Sequence, residues 1–203
     1  MRTVFVEMAL GLVALAALGR VIGILSLKVR QARYAKRAVA LPRTWRDVCT
    51  VPEPYLLGAT TLALWLGQRA PADPSPALLA RAGAGALLAL VAIVLMLWVL
   101  RVFPSVSTGH YVLPDQRVVR EGLYGLVRHP LYLAAYLVWL AVAIGFGSFV
   151  ALALTLAYVI PSYSIYMHAE EEMLLAHLGD PYARYRHTVR MLLPRRRAAG
   201  PGR

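Results

Sequence analysis

Along the chain, long apolar runs alternate with short polar connections. The first run is about Val4 to Leu27 and the second about Tyr55 to Leu66. The third is about Leu78 to Phe103, the fourth about Leu131 to Phe146, and the fifth about Phe149 to Met167. A helix needs about 20 apolar residues to cross a bilayer, so the pattern predicts an all-α integral membrane protein with about five transmembrane helices. The second run is the shortest and fits a tilted or partly interfacial helix; Pro52 and Pro54 ahead of it suit a helix start. Only GFGS or so separates the fourth and fifth runs, which predicts a tight antiparallel hairpin. Gly83 and Gly85 near the start of the third either permit close helix contact or are simply tolerated there.

The polar interruptions refine this picture. Glu7 and Arg20 both fall in the first run. They stand roughly 20 Å apart along a helix and cannot pair with each other. Glu7 is placed near an interface. Arg20 is expected to snorkel toward the basic connection that follows, with the bundle interior as its alternative. A secretory signal is a poor reading of this run, which is too long and has its basic cluster after it.

Composition agrees. Of 203 residues, 59% are hydrophobic and 16% charged, against roughly 25% charged in soluble domains; mean hydropathy is +0.58. The one cysteine, Cys49, excludes an intramolecular disulfide and cannot alone hold zinc. His110, His177 and His187 show no metal-ligand spacing, so no metal is expected. The net charge of +12 comes from 22 basic and 10 acidic residues. Lys28, Arg30, Arg33, Lys36, Arg37, Arg43 and Arg46 share one connection, and Arg195 to Arg197 lie in the tail. Basic residues placed beside apolar runs point to anionic lipid headgroups on the cytoplasmic side, and not to nucleic acid. The first and third connections and the C-terminal tail are basic, the second and fourth are not. With five spans this puts the N-terminus outside and the C-terminus in the cytoplasm.

Candidate chemistry lies in two segments flanking the fourth and fifth runs: SVSTGHYVLPDQRVVREGLYGLVRHPLY from Ser105 and HAEEEMLLAHLGDPYARYRHTVRMLLP from His168. The hairpin between them brings both to one membrane side. Gly122 suits a turn with positive φ. Pro130 fits the first turn of the fourth helix, with His129 held extended before it. Arg128 and His129 then stand at the hairpin mouth, as interfacial anchors or as ligand-binding groups. Glu170, Glu171 and Glu172 either neutralise Arg128, bind the cation of a ligand, or form a solvated helix turn. Gly179, Asp180 and Pro181 read as a helix stop, an N-cap and a new first turn. Tyr182, Tyr185 and the MLL run suit a helix lying on the membrane surface.

Together the two segments resemble the isoprenylcysteine carboxyl methyltransferase and phospholipid methyltransferase superfamily. Gly122, Tyr124, Arg128, His129, Pro130 and Tyr132 match its first motif, and Glu170, Glu171, Leu174, Gly179, Tyr182 and Tyr185 its second, with Leu178 in place of an aromatic. The likeness spans about residues 110 to 194. It implies a membrane-embedded methyltransferase that uses S-adenosylmethionine and a lipophilic acceptor: a prenylcysteine carboxylate, a phospholipid amine, a small thiol or another isoprenoid lipid.

The apolar runs and the basic tail, with the resemblance between them, divide the chain: three transmembrane helices with a basic loop over 1–104, which match the family only as unspecific spans, a catalytic region over 105–194 implied by the resemblance, and a disordered basic tail over 195–203. The cofactor-binding residues that the resemblance implies are His110, Gln116, Val119, Gly122, Tyr124, Arg128, His129, Pro130, Tyr132, Glu170, Glu171 and Tyr185. Among them Glu170 or Glu171 would take the amino group, Arg128 or His129 the carboxylate, and Tyr124 with the backbone of 119–122 the adenine. Its implied catalytic residues are Glu171, Arg128 and Tyr166. Tyr166, Met167 and His168 stand where many relatives carry an arginine, and Gln116 where many carry a histidine. An NADPH-dependent sterol or steroid reductase shares a similar C-terminal arrangement, but phosphate recognition wants more clustered arginine or lysine than these loops offer. A non-enzymatic membrane partner is the third reading. The Ala-, Leu- and Arg-rich composition points to a bacterial inner membrane, and no residue pattern indicates an oligomeric state.

Overall fold

The computed structural model describes residues 1–34, 39–40, 45–68, 71–102, 111–112 and 117–193. His110, Gln116 and the basic tail of 195–203 lie outside these. The protein is mainly helical. Helix α1 is Arg2–Tyr34, α2 the single turn Trp45–Val48, α3 Glu53–Gly67 and α4 Pro76–Val102. Helix α5 is Pro130–Phe146, α6 Phe149–Leu154, α7 Ile160–Leu178 and α8 Asp180–Thr188. Two-residue strands β1 (Val39–Ala40) and β2 (Tyr111–Val112) pair antiparallel.

Each of the five apolar runs is a helix. Three stretches are long and apolar enough to cross a membrane: Arg2–Ser26, Pro76–Val102 and Phe149–Leu178. Helix α5 is apolar but shorter, with 17 residues. Helix α1 runs on past Leu27 to Tyr34. The fifth run does not end at Met167, because α7 carries Glu170, Glu171 and Glu172 on the same helix. Its one irregularity is a π-turn over Thr155–Val159, just before Pro161. Proline has no N–H to give the preceding turn, and a widened turn absorbs the break in the ladder.

Helices α4 and α5 form the tightest pair. Their contact is made of small residues, as suits a bundle in which packing, rather than water expulsion, holds helices together. A Cβ on Gly85 would lie 2.6 Å from the Gly145 Cα and 3.0 Å from the Ala141 carbonyl oxygen. Gly85 thus permits the close approach left open by the sequence. The α5–α6 hairpin is as tight as expected. Gly147 closes α5 in the left-handed conformation, and Ser148 Oγ accepts the Ala151 N–H at 3.1 Å as the N-cap of α6. Arg81 reaches across from α4 and donates to the Phe146 carbonyl at 3.2 Å, a cation at a helix C-terminus.

Arg20 corrects the sequence expectation. It does not snorkel: only 5% of it is exposed. Its Nη2 donates to Tyr163 Oη at 2.7 Å, and its Nε lies 3.7 Å from Glu53 Oε1. Trp139 Nε1 donates to that same Glu53 oxygen at 3.0 Å. Four helices, α1, α3, α5 and α7, therefore meet on one buried ion pair. A partner within reach removes the reason to stretch toward water.

Gly85→Ala is expected to lower the unfolding midpoint in detergent, at a cost of about 1–3 kcal/mol for overpacking. Gly19→Ala is the control, since a Cβ there meets nothing within 4 Å. Scanning calorimetry or light-scattering melts of the purified variants check this.

Candidate functional site

Residues 117–130 descend into α5 through a short 3₁₀ turn, Gly122–Gly125. Gly122 has φ +57, as its place in the motif predicts, and a Cβ there would sit 1.9 Å from Trp98 of α4. The turn therefore rests directly on the Trp98 indole, which is also 6.4 Å from the buried Tyr124 ring. Val119 is half-buried in the extended stretch ahead of the turn. Pro130 is buried in the first turn of α5, and His129 precedes it with φ −124 and ψ 62.

The chain after α8 then clamps this segment. Val127 and Arg190 form an isolated parallel bridge. The backbone N–H of Arg128 donates to the Arg190 carbonyl at 2.8 Å, and that of His129 to the Met191 carbonyl at 3.1 Å. Val127, Arg128 and His129 are thus held on one side by α5 and on the other by residues 190–191.

Glu171 is the hub of the side chains. Arg128 Nε donates to Glu171 Oε1 at 2.7 Å, and His129 Nε2 lies 3.1 Å from the same oxygen. Arg186 of α8 approaches the other oxygen, with its Nε 3.4 Å from Oε2. Glu171 is 2% exposed, and its burial is offset by these cationic and hydrogen-bonding neighbours. Arg128 Nη1 also donates to the carbonyls of Arg186, at 3.0 Å, and of Val189. One guanidinium therefore ties α7 to the C-terminal end of α8, where a cation also meets the helix dipole favourably. Arg128 is thus spent on partners inside the protein, with its side chain 9% exposed.

Glu170 faces the neighbouring layer. It accepts the Tyr132 hydroxyl at 2.9 Å, and its Oε2 lies 3.8 Å from His129 Nδ1. Glu172 points elsewhere and forms a two-pronged pair with Arg46 at 2.7 and 3.1 Å, joining α2 to α7. Glu170 and Glu171 thus share His129, while Glu172 is an exposed acid paired across to α2.

Helix α8 turns its two tyrosines into the protein. Tyr182 and Tyr185 are both about 3% exposed and face the site, while Arg184, Arg186 and His187 are exposed. Tyr185 Oη donates to the Tyr124 carbonyl at 2.7 Å. Arg120 lies over the Tyr185 ring at 5.8 Å and donates to the Pro181 carbonyl at 2.9 Å. Burial, above all, pushes the phenols of Tyr124, Tyr182 and Tyr185 above their ordinary value, so all three stay neutral donors at physiological pH. Asp180 is the first residue of α8 and makes no capping hydrogen bond; Gly179, at φ +59, supplies the break instead. Tyr166 is buried edge-on against Tyr132, 5.8 Å between ring centroids, inside an aromatic layer that continues to Tyr163.

The structure brings Gly122, Tyr124, Arg128, His129, Pro130, Tyr132, Glu170, Glu171 and Tyr185 into one connected region at the mouth of the hairpin. Tyr166 joins it through the aromatic layer. The sequence reading missed Trp98, Arg120 and Arg186 as members. Arg186 was findable, since it follows Tyr182 by one helical turn. Trp98 was not, because nothing in sequence pairs it with Gly122.

These features define a polytopic membrane protein with a buried acid–arginine–histidine–tyrosine site at one end of its bundle. The model of the phospholipid methyltransferase family matches residues 80–180. That family sits in the group of membrane methyltransferases that includes the isoprenylcysteine carboxyl enzymes, acting on lipid-like substrates. The match takes in most of α4, all of α5 to α7, the first motif and Glu170–Glu172, and stops at the start of α8, before Tyr182 and Tyr185 of the second motif. No curated protein matches the chain.

Arg128→Lys keeps the charge but loses the fork that holds Glu171 and the α8 carbonyls together. Local opening of residues 180–193 should become about 2 kcal/mol easier, or about thirtyfold faster in amide exchange. Hydrogen-exchange mass spectrometry in detergent reads this directly, with α4 and α5 peptides unchanged.

Proposed function

We propose that the protein transfers a methyl group from S-adenosylmethionine to a lipophilic acceptor drawn from the bilayer. The observation that carries this reading is the buried set of Glu170, Glu171, Arg128 and His129 beside Tyr124 and Tyr185, in a chain that the phospholipid methyltransferase family model matches over residues 80–180. The donor set fits the cofactor by chemistry: carboxylates for an ammonium and a sulfonium, arginines for a carboxylate, and aromatic faces for an adenine. When bound, S-adenosylmethionine supplies an electrophilic methyl group on a positively charged sulfur.

The chain's own residues divide the work. Glu170 and Glu171 supply negative charge, and Glu171 is oriented by His129 and Arg128. Arg128 acts as a positioning residue in our reading, because its fork already holds Glu171 and the end of α8. That moves the task of meeting a carboxylate toward Arg120 and Arg186, which are less enclosed. Tyr132 fixes Glu170, and Tyr166 shapes the apolar wall behind it. Helix α8 and residues 190–191 cover the site and limit water, which strengthens each charge interaction inside. Methyl transfer asks mainly for alignment, so rigid placement by α5 and α7 supplies much of the acceleration.

We further propose five spans, with the N-terminus outside and residues 105–194 as the catalytic region on the cytoplasmic side. The basic loops would face anionic headgroups there. Helices α3 and α5, with 15 and 17 residues, would cross as the shorter members of the bundle.

Calorimetric titration of the detergent-purified protein with S-adenosylhomocysteine tests the donor site. Micromolar binding is expected in the wild type, with a loss of at least about tenfold in Glu171→Ala and in His129→Ala, about 1.4 kcal/mol or more each. No binding by a folded wild type would overturn the reading, and NADPH would be titrated next.

A further inference from the structure

Arg20, Glu53 and Tyr163 have no part in the site above, yet each is at least nine-tenths buried and they meet inside the bundle. Ionisable groups inside a membrane bundle are costly and mark functional positions by default. Apolar residues of similar size would join the same helices without desolvating two charges, so the pair asks for a role beyond holding them together. Arg20 Nη2 donates to the Tyr163 hydroxyl at 2.7 Å, and the same hydroxyl faces the Glu53 carboxylate. Trp139 Nε1 in turn fixes Glu53 at 3.0 Å. What the pair grips is therefore the phenol of Tyr163.

Tyr163 needs that grip, because its own helix is irregular beside it. The π-turn over Thr155–Val159 ends one turn earlier, and Pro161 gives no N–H to the ladder. Side-chain contacts therefore set the direction of Tyr163 more than the ladder does. From Tyr163 the contacts climb to the site. The ring of Tyr132 packs on Tyr163 with 5.3 Å between centroids and on Tyr166 with 5.8 Å, while its hydroxyl donates to Glu170 at 2.9 Å. Positions 163, 166 and 170 follow one another at steps of three and four along one face of α7. Tyr132 lies along that face, with its ring against two tyrosines and its oxygen on the carboxylate.

A phenol oxygen lies on the axis of its ring, so whatever fixes the ring of Tyr132 also fixes where its hydroxyl meets Glu170. His129 packs on the same ring at 5.5 Å and faces both acids, its Nδ1 3.8 Å from Glu170 and its Nε2 3.1 Å from Glu171. We infer that Arg20 and Glu53 are positioning residues for the donor site: they hold Tyr163, Tyr163 holds the ring of Tyr132, and Tyr132 aims Glu170. This deepens the reading of Glu170 as a donor-site carboxylate and rests on it. It also gives α1 and α3, which precede the matched residues 80–180, a share in the site.

Tyr163→Phe keeps the ring and removes only the tethered hydroxyl. Its effect on S-adenosylhomocysteine affinity would be measured calorimetrically in the wild-type and Glu170→Gln backgrounds. A loss of about fivefold is expected in the wild type, the worth of about one hydrogen bond, falling below about twofold in Glu170→Gln, where no charge is left to aim. Equal losses in both backgrounds would make Tyr163 a packing residue and overturn the inference, as would no loss in the wild type. Should Tyr163→Phe not fold, Arg20→Met with Glu53→Gln takes its place and should show the same pattern. That variant removes both charges together and keeps an acceptor for Trp139. A ligand-free readout separates this inference from the donor reading. 3-Fluorotyrosine incorporated at Tyr132 should give one narrow fluorine resonance in the wild type and a broadened or divided one in Arg20→Met with Glu53→Gln. If the folded wild type binds no S-adenosylhomocysteine, the donor reading fails and the fluorine spectrum decides. A divided resonance then upholds the link from the ion pair to Tyr132, and an unchanged one overturns it.

Discussion

The site depends on one contact, the ion pair between Arg128 and Glu171. Two charges in so little solvent are expensive, and the pair is tolerated because nearly every valence has a use. Glu171 receives Arg128, His129 and Arg186, while Arg128 also holds two carbonyls at the end of α8. Removing either partner would leave a buried charge alone, the costliest of the common defects. The contact is also topological. It joins the residues just before α5 to the far side of α7 and to the segment after α8, which no single helix could bring together. The backbone bonds from Arg128 and His129 to residues 190–191 repeat the same tie without charge.

The bundle below serves this contact. Close packing of α4 on α5 through Gly85 and Gly145 fixes where Trp98 stands, and Trp98 in turn is the floor for the Gly122 turn. The π-turn before Pro161 resets the face that α7 presents, so that Tyr163 and Tyr166 look toward Tyr132 and α5 while Glu171 looks toward Arg128. Deeper down, Arg20 and Glu53 join four helices through a second ion pair. Two buried pairs in one small membrane protein mean that polar contacts, rather than apolar area alone, set helix order here. That is expected where the surrounding solvent is as apolar as the helix faces.

Much of this was legible in the sequence. The five apolar runs, the tight hairpin and the left-handed turn at Gly122 all follow from local rules or from motif spacing, and an acid for Arg128 was one of the readings open for Glu170–Glu172, of which Glu171 is the one that pairs. What was not legible depended on three-dimensional partners. Arg20 reads as a snorkelling residue because its partner Glu53 is 33 residues away and heads a different helix. The burial of Tyr182 and Tyr185 in the site was not legible because tyrosines also suit interfaces. The same tyrosines suit a buried site when a backbone carbonyl stands ready for the hydroxyl, as the Tyr124 carbonyl does for Tyr185. The three consecutive glutamates look alike in sequence, but a 100° step per residue gives Glu170 to Tyr132, Glu171 to Arg128 and Glu172 to Arg46, with His129 shared by the first two.

The central claim is that Arg128 and Glu171 act as one unit to build the site. A double-mutant cycle on S-adenosylhomocysteine affinity tests it most directly, using Arg128→Met, Glu171→Leu and the double replacement. The account predicts strong coupling, at least about 1.5 kcal/mol, with the double variant binding no worse than the poorer single variant. Additive losses from the two changes would contradict it and would make them independent contacts.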